Sequence, residues 1–336
     1  AHSSTMDYSI DYRDKVILAP MVRTGTLAFR LLAKYYGADI VYSEELVDRK
    51  LVGTKRVENE ETGTVDYVLE KDGSLVWSTC PGDNVSVLQL GTAGEEFAVR
   101  AAQHCYRDYH AVDVNMGCPE KFSTQGGMGA ALLVDRERVK QVITGLVRNI
   151  DKPVTCKIRL LESMADTIDL VKSIEMMGVK AIAVHGRYIP QRPRQPAHMS
   201  LIKQLSEVVS IPMIANGDVY KYEDIATTKE VTGCTSVMIA RGALVNCSIF
   251  SPDNPRPQKE VGLNYLKYCM RYQNPFPFTK YTISRMFGEN GKVTRETWYQ
   301  KLILAKSHEE MVEIITGDVE ENGYGGFEWG RIGMGK

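Results

Sequence analysis

Eight times in succession, a short apolar run of strand character is followed by a stretch with helical spacing. This alternation constrains the fold more than any other feature of the chain. The strand runs are "KVILAP" (Lys15–Pro20), "DIVYSEEL", "VSVLQLGT" (Val85–Thr92), "AVDVNMGC", "KPVTCKIRLL", "KAIAVHGR", "IPMIANGD" and "TSVMIARGAL". Between them lie stretches such as "TLAFRLLAKYYG", which ends on Gly37, and "GEEFAVRAAQHCYRDY", with apolar positions recurring at helical intervals. Repeated strand–helix units give parallel strands with right-handed crossovers. Eight is the number that closes a (β/α)8 TIM barrel, so the expected class is α/β. An open doubly wound sheet is the alternative. It usually has fewer strands and a Gly-rich first turn, and "APMVRTGT" lacks GxGxxG.

One insertion breaks the rhythm. The segment "TVDYVLEKDGSLVWST", about 63–79, alternates around Asp72-Gly73, which predicts a small antiparallel ribbon laid over one end of the barrel. The barrel domain is expected over 6–250, with residues 1–5 read as a cloning remnant ahead of Met6. "SPDNPRPQ" (Ser251–Gln258) reads as a Pro-rich linker. Residues 259–320 carry "KEVGLNYLKYCMRYQ", "FTKYTISRMFG", "TRETWYQKLILAK" and "HEEMVEIITG", which predict a small helical bundle. The tail, 321–336, is Gly-rich, with Phe327 and Trp329 as candidates to dock.

A net charge of −1 does not announce a nucleic-acid binder, so any basic surface must be local. The seven cysteines show no CxxC and no zinc-ligand spacing, a pattern that suits a reducing compartment. No apolar run approaches the roughly 20 residues that cross a bilayer, and the start lacks a signal pattern. The expectation is a monomer of the cytoplasm or nucleus with no membrane partner.

In TIM barrels chemistry sits at the C-terminal strand ends. Here those ends are Ala19-Pro20-Met21, Gln89, Asn115-Met116-Gly117-Cys118-Pro119, Lys157 with Arg159, His185-Gly186-Arg187, Asn216-Gly217-Asp218 and Ala240-Arg241-Gly242. Taken singly, each has an ordinary explanation. Lys157 could be a salt-bridged rim lysine, His185 a satisfied core histidine, Gln89 a barrel-layer filler, Cys118 an inert buried thiol, and Asn216-Gly217-Asp218 a turn before a helix. Six such strand ends together are harder to assign to packing. A flavin would give them a common purpose. The last two loops supply glycines and an arginine for a phosphate. Lys157, Gln89 and His185 suit the ring carbonyls and the reduced N1 region, where a cation stabilises the anion.

These stretches, with "LAPMVRTGTLAFRLLAKYYGADIVYSEEL", "QLGT" and "DVNMGCPEKFSTQGGMGAALL", resemble the tRNA-dihydrouridine synthase family, and most of all its eukaryotic type 2 branch. The resemblance runs from about Leu18 to Leu244, and the helical segment fits the family's second domain. It implies FMN on a TIM barrel and reduction of the C5–C6 double bond of a tRNA uridine. Hydride passes from reduced FMN to C6, a proton passes from Cys118 to C5, and NADPH re-reduces FMN. The type 2 likeness suggests position 20 of the D-loop. Asn115 corresponds to the family's uracil-positioning asparagine, and Arg159 and Arg187 to substrate-side or phosphate-side cations. Ala19, Pro20, Met21, Gln89, Lys157, His185, Asn216, Gly217, Asp218, Ala240, Arg241 and Gly242 fall on FMN positions. Acid chemistry requires Cys118 to rest as a thiol, with a reference pKa near about 8.5. The loop "STQGGMGA" is expected to fold over the base.

Two departures stand out. Tyr188 follows "HGR" where many members have Thr, and no segment resembles the double-stranded RNA-binding domain that animal type 2 members carry after the bundle. The tail cations Lys267, Arg271, Lys280, Arg285, Lys292, Arg295, Lys301 and Lys306 lie beside tyrosines. Composition alone favours a solvated face over a tyrosine-rich core; the resemblance adds tRNA binding. The rival readings are a small-molecule FMN dehydrogenase of the dihydroorotate type and a non-catalytic RNA-binding protein on a degenerate barrel.

Overall fold

The computed structural model describes residues 10–253, 255–289 and 293–321. The Gly-rich tail with Phe327 and Trp329, Lys292, and residues 6–9 of the expected barrel segment lie outside them. Eight parallel strands form the centre: β1 (Val16–Leu18), β2 (Ile40–Tyr42), β3 (Ser86–Gly91), β4 (Ala111–Met116), β5 (Val154–Leu160), β6 (Ala181–Tyr188), β7 (Met213–Asn216) and β8 (Ser236–Ile239). Each pairs with its neighbours in chain order. β8 returns to β1 through Val16↔Val237, and β2 pairs with β3 through Val41↔Ser86, so the sheet closes into a TIM barrel. No edge is left to pair with another chain. The strands are short, apolar and buried on both faces, as parallel strands under helices must be.

Inside the barrel, Ile17, Tyr42, Val87, Ala183, Ile214 and Met238 pack as one apolar cluster. Toward the C-terminal ends the inward positions turn polar. Gln89, Asp113 and Thr155 stand in register across β3, β4 and β5, and Asn115 stands beside Lys157 one pleat further on. The period of two along a strand puts Asp113 and Asn115 on the same inward face.

The second crossover departs from the barrel pattern. A five-residue helix, Asp48–Val52, stands where a long one would be. It is followed by a three-stranded antiparallel ribbon of Thr54–Asn59, Thr64–Leu69 and Leu75–Thr79. The ribbon has one strand more than the segment 63–79 suggests, because "TKRVEN" is mostly polar and largely exposed, with no alternation to mark it. It packs against the end of the helix Glu95–His104 and the turn after it. Tyr67 meets Trp77 with tilted rings at 5.2 Å and His104 edge-on at 5.5 Å, and its hydroxyl donates to Asp108 at 2.5 Å.

The C-terminal helices Gln258–Arg271, Phe276–Gly288, Thr297–Leu304 and His308–Glu321 share one apolar core with the helix Leu27–Tyr35. Phe29 meets Tyr265 edge-on at 5.7 Å, and Asn264 Nδ2 donates to the Tyr36 hydroxyl at 2.9 Å. The segment before them is tied to the barrel, since Gln258 Nε2 donates to the carbonyls of Val245 and Met286. Among the described residues no helix is long and apolar enough to cross a membrane.

A buried ion pair joins these parts. Arg30 is 1% exposed and donates from Nη2 to Asp83 Oδ2 at 2.5 Å, with further bonds to the carbonyls of Gly25 and Ser78. One guanidinium thus ties the first crossover helix to the ribbon's last strand and to the approach to β3. Removing one partner of such a pair strands a buried charge. Asp83→Ala is therefore expected to cost about 3–5 kcal/mol of folding stability, read as a shift in the urea midpoint at unchanged slope.

Candidate active site

The floor of the barrel mouth is built around Asp113, which is fully buried. Its carboxylate accepts from Gln89 Nε2 at 2.8 Å and from Thr155 Oγ1 at 2.7 Å. Burial pushes its pKa up to about 6, against the pull of those two bonds and of the Lys157 charge. The amide of Gln89 is thereby oriented, and its Oε1 accepts from Asn115 Nδ2 at 3.4 Å. The polar floor is one connected network, so no member is a simple space filler.

Above it, Asn115 fixes the chain as it leaves β4. Its Oδ1 accepts from the backbone N–H of both Gly117 and Cys118, at 3.0 Å each. This is an Asx turn, a short side chain standing in for backbone. Gly117 crosses β5 so closely that a Cβ would lie 3.3 Å from the carbonyl carbon of Ile158. The following loop is drawn back onto the thiol. Ala130 N–H donates to the Cys118 carbonyl at 2.9 Å, and a Cβ on Gly129 would lie 2.5 Å from that oxygen. Gly129 also has φ +57, a left-handed conformation that glycine adopts without strain. The glycine serves close approach to Cys118 here, rather than a free hinge. Burial first, and the charge of Glu45 second, push the Cys118 thiol up to about 11.

The opposite side of the mouth is cationic. Lys157 is drawn down to about 8, chiefly by burial and by Arg159 beside it, with Asp113 and Cys118 opposing. Burial and four surrounding cations, Lys157, Arg159, Arg187 and Arg241, keep His185 neutral. Its Nε2 lies 3.1 Å from Arg187 Nη1, which can only donate. Nε2 is therefore the acceptor, and Nδ1 carries the hydrogen. Arg187, 2% exposed, also donates to the carbonyls of Gln195 and Pro193 and to both oxygens of Asp218, at 2.5 and 2.7 Å. Arg241 donates to the same carboxylate at 2.8 Å and stacks over Tyr220. Burial would raise Asp218, but the bonds from Arg187 and the Ala197 N–H and the charges of Arg187 and Arg241 hold it below the usual carboxylate range. Tyr188 and the loop after it supply acceptors: Arg159 donates to the carbonyls of Tyr188 and Gln191.

A cleft with a cavity volume of about 160 Å³ opens here to solvent. Of the residues singled out from sequence, Pro20, Gln89, Asn115, Cys118, Lys157, Arg159 and His185 line it. The others surround it. Ala19 donates its N–H to Ile239 on β8, and the Met21 carbonyl caps the turn after β1. Asn216 Nδ2 donates to the Met238 carbonyl, tying β7 to β8. Gly217 and Gly242 lie where a Cβ would meet Ala197 at 2.7 Å and the Val219 carbonyl at 2.3 Å. Ala240 precedes the short helix Arg241–Val245. The donor set fits a flavin mononucleotide. Lys157 and the Nδ1–H of His185 suit carbonyl oxygens and an anionic reduced ring. The excess of Arg187, Arg241, Arg159 and Lys157 over Asp218 and Asp113 suits a phosphate. Sequence reasoning missed Asp113, Ser123 and Glu45. Asp113 could have been found as the one charge inside an apolar strand, and Glu45 as the second carboxylate in "SEEL" at the end of β2.

A family model described as dihydrouridine synthase (Dus) matches residues 17–317. The chain is 38% identical over 288 residues to the tRNA-dihydrouridine(20) synthase (NAD(P)+) of Schizosaccharomyces pombe, covering 82% of this chain and 60% of that relative. It is 32% identical over 328 residues to the enzyme of the same name from Saccharomyces cerevisiae, covering 91% and 84%. A Homo sapiens tRNA-dihydrouridine(20a/20b) synthase-like protein is 31% identical over 246 residues, covering 72% and 73%.

The thiol's surroundings give a direct expectation. Iodoacetamide should modify Cys118 slowly at neutral pH, with the rate climbing toward a midpoint near about 11, as followed by peptide mapping. A midpoint below the reference value of about 8.5 would mean an activated thiolate instead.

Proposed function

Because this chain belongs to the dihydrouridine synthase (Dus) family, we propose that it reduces the C5–C6 double bond of a uridine in tRNA to give dihydrouridine. Likeness to two synthases named for position 20 supports the type 2 branch and makes the D-loop uridine at position 20 the proposed target. The relatives' names support a nicotinamide reductant, proposed here as NADPH. The observation that carries the reading is that the Cys118 thiol and the Lys157–His185 donors line the same cleft.

FMN, when bound, supplies the hydride that C6 receives. The residues present do the rest. Lys157, the Nδ1–H of His185 and Gln89 would hold the ring's electron-rich edge, with Ala19, Pro20 and Met21 at the end of β1. Asn216, Gly217, Asp218, Ala240, Arg241 and Gly242 would make the phosphate side, with Arg241 as the charged contact. Asn115 and Arg159 would take the uridine. Arg187, whose donors are engaged by protein atoms, acts by holding His185 and Asp218 in place. Cys118 protonates C5. A thiol held near about 11 keeps its proton at pH 7, so the resting group is in the acid form. The uridine must leave the RNA stack to reach the mouth. The helices after β8 and the segments joining them carry Arg271, Arg295, Lys301 and Lys306, which would meet phosphates of the tRNA body.

Cys118→Ala should lower dihydrouridine formation on unmodified tRNA by about 10²–10⁴-fold, while the purified protein stays yellow, with absorbance near about 450 nm. Mapping the modified base tests position 20. Full activity in Cys118→Ala would remove the assigned acid. Turnover of free dihydroorotate with tRNA untouched would favour the small-molecule dehydrogenase.

A further inference from the structure

Glu45 stands between β2 and the two-residue strand Leu46–Val47, which pairs with the end of β3. It is 7% exposed and lines the cleft. Its Oε1 accepts from Ser123 Oγ at 2.9 Å. Cys118 lines the same cleft as Glu45. Oε2 is buried with no hydrogen-bond partner. Two glycines make room for this cluster. A Cβ on Gly91 would lie 2.6 Å from Glu45 Oε1, and one on Gly129 would lie 2.6 Å from Ser123 Oγ and 3.0 Å from Cys118 Cβ.

Among the described residues Glu45 has no ion pair. A buried carboxylate without a cation is costly, so the neutral acid is favoured. Burial indeed pushes Glu45 above the usual carboxylate range, against the bonds from Ser123 and Cys118. A neutral carboxyl has an O–H to give, and its nearest acid–base neighbour is the thiol.

We propose that Glu45 restores the Cys118 thiol after each turnover. This rests on the reading of Cys118 as the acid that protonates C5. Once that proton has gone, the Glu45 O–H bond breaks and an S–H bond re-forms on Cys118. The carboxylate left behind takes a proton from water at the cleft mouth. No electrons change hands. The charged groups facing Cys118 are Glu45, Lys157 and Arg159. Lys157 and Arg159 stabilise the transient thiolate but present no carboxyl to reprotonate it. Ser123 bridges carboxyl and thiol.

The test is Glu45→Gln, which keeps an acceptor for Ser123 but removes the acid. In the first arm, Cys118 alkylation is followed against pH with no tRNA present. At alkaline pH, where the carboxyl ionises and opposes the thiolate, its loss should speed modification at pH 8.5 by about threefold or more; an unchanged profile overturns the contact. In the second arm, pre-reduced protein is mixed with excess unmodified tRNA and excess NADPH. The steady-state rate should fall at least about tenfold more than the first turnover. Added formate should recover part of the steady-state loss, and Glu45→Asp should fall between the two proteins. Equal losses in both phases, with no recovery by formate, overturn the proposal in favour of a packing role. Should Glu45→Gln fail to fold, Glu45→Ala, which removes the acid and leaves room for formate, gives the same decision. If the unsubstituted protein leaves tRNA unreduced, the reading of the function has failed, while the alkylation arm still judges the Glu45–Cys118 contact.

Discussion

The site depends on one side-chain oxygen. Asn115 Oδ1 takes two consecutive backbone hydrogens and so decides where the chain goes after β4. The pleat places Asp113 and Asn115 on the inner face, and the Asx turn then swings Cys118 out of the strand and over the mouth. Everything beyond follows from that direction. Gly117 must be bare because the turn brushes β5, and Gly129 must be bare because the returning loop rests on Cys118. The same asparagine reaches down to Gln89, so the position of the thiol is coupled through Gln89 to a carboxylate in the barrel floor. Networks of this kind stiffen a site when fully satisfied, and positions held to a fraction of an ångström are what acid–base transfer requires.

Charge at the mouth is arranged by sharing. Four cations converge on the ends of β5, β6 and β8, which unaided would repel one another. Asp218 takes two of them, and loop carbonyls from Tyr188 to Gln195 take the donors of Arg159 and Arg187. Lys157 is left with a softened charge and His185 with none. The result is a net positive mouth that suits an anionic ligand, while burial and Glu45 keep Cys118 a thiol.

The barrel was legible because buried parallel strands write themselves as separate apolar runs, and seven of the eight runs ended on residues whose types stood out. The first ribbon strand was not legible, since "TKRVEN" forms its ladder with backbone while its side chains face water. Glu45 was illegible for another reason. Its partner Ser123 lies 78 positions away, and nothing in "SEEL" says which carboxylate turns inward. Arg187 read as a ligand-facing cation. Only the loop folding back over it reveals that its donors are engaged. Local pattern reports an element's period and its ends; it does not report which distant loop will satisfy a polar group.

Gly91 ends β3, and Glu45 directly precedes the strand paired with it, with space for one side chain between them. The two positions are therefore coupled. A methyl at position 91 makes the acid at position 45 re-aim, so a substitution at either place is understood only together with the other.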